Sequence, residues 1–92
     1  MKAKLIVYEL SDLDQYHKVL VNRTLFGYLD NSNNGAYQYK RDGILDKIPH
    51  LRLLRGAIIV KDKDQNKILL ALKSHKVQPK VFEIGIKSSI LH

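Results

Sequence analysis

The chain has no cysteine. That excludes a disulfide framework and any thiolate metal site, and leaves packing, with or without a partner chain, to hold the fold. Acidic residues are scarce as well: 9 aspartates and glutamates stand against 16 lysines and arginines, for a formal charge of +7 and a pI near 9.7. Such a balance favours anionic partners, nucleic acid or an acidic lipid surface, although dispersed lysines also serve solubility alone. Long apolar runs are missing. MKAKLIVYEL is broken by Glu9 and then Asp12 before it reaches signal-peptide length, and nothing approaches the roughly 20 apolar residues of a membrane span. The expectation is a cytosolic (cytoplasmic) protein with no membrane partner. Glycine-rich phosphate loops are absent too, because Gly27, Gly35 and Gly43 sit in turn contexts and no GxxxxGK[ST] occurs. No internal repeat and no linker interrupts the chain.

What is present is an ordinary globular composition. With 45% hydrophobic and 27% charged residues the chain lies outside the disordered regime, and 92 residues make one domain. A chain this short buries only about 60 to 65 % of its unfolded surface, so a homodimer would supplement a modest core.

Hydrophobic patterning predicts the elements. Lys4 to Leu10, KLIVYEL, reads as a buried strand, and Asp12 to Phe26 as a helix capped at Ser11 or Asp12. Asp30 to Gly35 then breaks the chain. Asp42-Gly43 is the dipeptide preferred by a two-residue type I′ turn, which predicts a hairpin at about 36–48 with Arg41 opposite Ile44 and Tyr39 opposite Asp46. In that register Tyr37 and Tyr39 share an apolar face with Ile44 and Ile48, and Lys40 and Lys47 share the basic one. Pro49 closes the hairpin. Ala57 to Val60 is continuously apolar and predicts the central strand. A second helix runs from Asp62 or Asp64 to about Lys76, with Ile68, Leu69, Leu72 and His75 on one stripe, and PKVFEIGIK alternates as a half-buried strand. The order defines an α+β class: a ferredoxin-like split βαβ sandwich, an antiparallel sheet with two helices on one face.

The chemistry-bearing residues are few. His17, His50, His75 and His92 lack metal-ligand spacing, and no cofactor is indicated. IVYELSD, Ile6 to Asp12, resembles the strand-one segment of Cas2-type nucleases, a ferredoxin-like family whose strand ends in a metal-binding aspartate. Glu9 occupies the matching position, and the segment after Gly35 departs from that family's pattern. The resemblance implies a metal-dependent nuclease as one alternative. His17, Tyr39, Lys40 and Arg41 supply the residue types for metal-free RNA cleavage as another. A dimeric protein-interaction module is a third. The charge and the basic hairpin favour a non-catalytic nucleic-acid-binding protein, for RNA or DNA, acting through Lys40, Arg41, Lys47, Arg52, Arg55 and Arg23.

Overall fold

Strand β1 (Lys2–Val7) is apolar on both sides because both sides are covered in part: Ile6 lies in the layer beneath the helices, while Ala3 and Leu5 lie on the opposite face. The computed structural model describes residues 1–32 and 35–91. Asp14 begins helix α1 (Gln15–Phe26) by accepting a 2.8 Å hydrogen bond from the His17 amide, the arrangement that satisfies an otherwise orphaned helical donor. Val21 and Leu25, four residues apart, turn the buried side of α1 to the sheet. Gly27 ends the helix at φ 75°, a left-handed conformation that glycine adopts without a Cβ penalty.

The chain then makes a two-stranded ribbon, β2 (Tyr28–Ser32) with β3 (Tyr37–Arg41), and a short 3-10 turn over Ile44–Lys47. It enters the main sheet as β4 (His50–Leu54), continues as β5 (Ala57–Lys61), forms helix α2 (Gln65–Ser74) and finishes with β6 (Lys80–Gly85). The four-stranded sheet has the order β4-β5-β1-β6 and is antiparallel throughout. This is the ferredoxin-like α+β arrangement, with the ribbon inserted between α1 and the edge strand β4. Ile6, Ile58 and Val60 from the sheet meet Val21, Leu25, Ile68 and Leu72 from the two helices in one buried cluster. On the other face Leu91 folds back over Ala3 and Ile59.

The expected architecture and the central position of Ala57 to Val60 hold; several boundaries differ. Strand one ends at Val7, leaving Glu9 beyond it, and α1 starts at Gln15 because Asp14, not Ser11 or Asp12, is the cap. Helix two is shorter, with a 3-10 turn over Asp62–Asp64 preceding it. The hairpin is displaced from about 36–48 to 28–41. Asp42-Gly43 is not its turn: Gly43 has φ −90° and caps the 3-10 segment, its amide donating to Asp46 Oδ2 at 2.8 Å. Tyr37 and Tyr39 therefore do not pair with Ile48 and Asp46 but with Ser32 and Asp30. Pro49 precedes an edge strand rather than ending a hairpin, as its missing donor permits. Asn33 and Asn34 of the asparagine-rich turn, and His92, lie outside the described residues.

Candidate nucleic-acid interface

An isolated two-stranded ribbon is marginal in water, so the β2–β3 arm needs fastening. Its base is fastened three ways. Lys40 Nζ donates to the Phe26 carbonyl at 3.3 Å and to Asp46 Oδ2 at 3.1 Å, tying β3 to the end of α1 and to the 3-10 turn. The guanidinium of Arg23, on α1, lies 4.3 Å from the centre of the Tyr28 ring. Gly43 comes so close to Gly27 that a Cβ on it would collide with the Gly27 nitrogen and the Leu25 carbonyl. Asp46 holds this base as an anion: the Gly43 amide first, and then Lys40, keep its carboxyl below its ordinary value.

Beyond the base, every described residue from Gly35 to Asp42 is exposed. Cross-strand pairing sets Tyr28 opposite Arg41 and Asp30 opposite Tyr39, so Tyr28, Asp30, Tyr37, Tyr39 and Arg41 share one face of the ribbon. Tyr37 and Tyr39 are 55% and 51% exposed, which overturns their expected packing against apolar partners. The displaced register pairs them with Ser32 and Asp30 of the ribbon in place of Ile48 and Asp46. Arg41 holds Asp30 through Nε and a terminal nitrogen, each 3.1 Å from the same carboxylate oxygen. The face presents flat rings with the local acid neutralised.

At its root this face passes through Tyr28 and Arg23 into a hollow of about 410 Å³ between α1, the 3-10 turn and α2. Arg23, Lys47 and Lys67 line it with a single carboxylate, Asp42. On another side of α1, Gln15, Lys18, Asn22 and Phe26 follow at helical spacing along a groove of about 730 Å³ facing β4 and the β4–β5 turn. Arg52 and Arg55 line its far wall, and the Arg52 guanidinium carbon lies over Phe26, 4.0 Å from the ring centre.

The six expected contact residues thus fall into three settings. Arg23 and Lys47 meet in the hollow, Arg52 and Arg55 in the groove, and Lys40 and Arg41 serve mainly to hold the arm. Lys67, Lys18 and Tyr28 were not singled out by the sequence. Lys67 was readable as a solvent-side position of helix two, and Lys18 as one turn from Gln15 and Asn22, but nothing in either pattern said which basic residues lay across from them. The groups suited to metal-free cleavage are not brought together. His17 bonds Asp14 in the first turn of α1 at 2.7 Å, whereas Lys40 touches the Phe26 carbonyl, nine residues farther, about 13 Å along the helix axis. Among the described residues no three histidine, aspartate or glutamate side chains gather into a metal-holding group. No described helix is long and apolar enough to cross a membrane. Comparisons with protein-family models, with curated proteins and with solved structures give no match.

Proposed function

We propose that this protein binds single-stranded nucleic acid, RNA or DNA, without cleaving it, and that the β2–β3 arm is its recognition element. The observation that carries this reading is the exposed pair Tyr37 and Tyr39 on the ribbon face that runs through Tyr28 to Arg23. Every base has a π-face, so rings presented in this way stack on bases with little regard to sequence, at about 1–3 kcal/mol per base. Arg23, Lys47 and Lys67 then lie where the sugar–phosphate chain leaves the rings, and each phosphate neutralised on a single strand contributes about 0.7 to the salt slope.

Fluorescence anisotropy of a labelled single-stranded oligonucleotide, repeated across salt, tests the proposal. The parent binds saturably at low salt and prefers single strands to duplex. Tyr37→Ala with Tyr39→Ala weakens binding at least tenfold at every salt, and Arg23→Gln with Lys47→Gln flattens the salt dependence by about one to two units. Binding by the tyrosine variant equal to that of the parent removes the arm from recognition.

The protein assembles, in this reading, as a homodimer through the sheet face away from the helices. Leu91 packs on Ala3 and Ile59 of that face, while Leu54, paired with Ala57, and Phe82, paired with Leu5, stay exposed on it, and a second copy offers the same apolar patch in return. Light scattering checks it: a mass near one 10.6 kDa chain throughout a dilution series into the micromolar range contradicts the dimer.

A further inference from the structure

The groove between α1 and β4 differs from the arm in shape and in charge. Its walls carry Lys18, Arg52 and Arg55 against one carboxylate, Glu9. Among the described residues no carboxylate lies within ion-pairing distance of any of the three cations, in contrast to Lys40 and Arg41. Two positive charges are left over, which matches a phosphate monoester near neutrality, at about −1.5 to −2, better than an internal phosphodiester at −1.

The remaining lining is not that of a bare anion site. The Arg52 guanidinium carbon sits 4.0 Å from the centre of the Phe26 ring, a cation–π pair on the groove wall, and guanidinium planes are surfaces on which a base can stack. Asn22, Gln15 and Ser11 add amides and a hydroxyl, the mixed donors and acceptors that a heterocycle's edge needs. Tyr8, largely buried, also lines the groove, and burial raises the pKa of its hydroxyl while Arg52 pulls the other way, so it stays neutral. At about 730 Å³ the space far exceeds a phosphate and falls within the range of sites for small organic ligands.

We propose that this groove is a second binding site, taking a phosphate monoester joined to a planar heterocycle: Arg55 and Lys18 hold the phosphate, and the ring stacks on the Arg52–Phe26 pair. Two sources present that chemistry, a free nucleoside monophosphate and the 5′-phosphorylated end of a strand. The site does not depend on the arm's role, because its residues are distinct from the ribbon face and the hollow.

Titration of the full chain with adenosine 5′-monophosphate, followed by amide chemical shifts, tests it beside adenosine and inorganic phosphate as separate probes. The monophosphate binds at least tenfold more tightly than either half, and the shifts centre on residues 8–11, 18–22 and 52–56. Arg55→Gln and Lys18→Gln each weaken it about tenfold, whereas Lys63→Gln, the same loss of charge outside the groove, leaves it unchanged. Arg55 is exposed and Lys18 half-buried, neither in the core, so an unaltered melting temperature verifies the folding of both variants. Equal affinity for monophosphate and adenosine, or indifference to Arg55→Gln, overturns the proposal, as does no binding to any of the three. A 5′-phosphorylated hexanucleotide that outbinds its 5′-hydroxyl counterpart and the monophosphate assigns the groove to strand ends; a monophosphate that outbinds both assigns it to free nucleotides. The monophosphate titration contains no strand, so it fails or succeeds separately from oligonucleotide binding on the arm.

Discussion

The sandwich and the arm use similar residues to opposite ends. In the sandwich, Ile6, Leu25, Ile58, Ile68 and Leu72 are fully buried and touch one another across sheet and helices. In the arm, Tyr37, Tyr39 and Leu29 are at least half exposed, and what orders the ribbon is polar: Arg41 on Asp30, Lys40 on Asp46 and on the Phe26 carbonyl. Large apolar side chains therefore report on stability in one region and on surface chemistry in the other. A substitution of the same size has different consequences according to where the register puts it.

The largest contrast is expected from paired truncations. Leu72→Ala in the sandwich costs about 2–5 kcal/mol, since it removes a fully buried side chain and leaves a cavity, and urea unfolding measures it. Tyr39→Ala in the arm stays within about 0.5 kcal/mol by the same measurement. A cost above about 2 kcal/mol for Tyr39→Ala would mean that the ring has a buried partner, restoring the packing its alternation in the sequence suggested. The joint between the regions gives an intermediate effect. Gly27→Ala forces a Cβ into a left-handed backbone crowded by the Arg41 carbonyl and Gly43, at about 1–3 kcal/mol, and thermal melts should show it.

The smallest effect is a pH dependence. Asp46 has a folded pKa below its ordinary 3.8, so its contribution is fully present above the unfolded value and is lost as pH falls through the folded one. Melting temperature should therefore drop on acidification below about pH 4 more steeply in the parent than in Asp46→Asn, with the two curves parallel from pH 5 to 7. Identical acid slopes would show that Gly43 and Lys40 do not depend on the carboxylate charge.

How much of this was legible in the sequence follows the same division. GAIIV announced a central strand because nothing in it alternates, and the stripe of Ile68 and Leu72 announced a helix; burial wrote both patterns. The arm carries no such record. Tyr28-Leu29-Asp30 has neither period, and Asp42-Gly43 satisfied the local rule for a hairpin turn while the Asp46 carboxylate, three residues on, captured the Gly43 amide and made it a cap instead. The edge strand HLRLL did alternate, with Leu51 toward the open face and Arg52 toward Phe26, yet Pro49 beside it read as an end rather than a beginning. Basic residues were legible as a type and not as groups, since their grouping is fixed by which helix side faces which strand.

The close approach of Gly27 and Gly43 has a consequence for how such a chain changes over generations. The polypeptide leaves the sandwich and rejoins it at nearly one point, so the residues between are an appendix to the circuit rather than a link in it. Removing, lengthening or exchanging them breaks no pairing within the β4-β5-β1-β6 sheet, and closing the remaining gap with a short loop costs little chain entropy. The scaffold can stay constant while the appendix drifts, so that descendants of one sandwich could diverge in what they touch while sharing what keeps them folded.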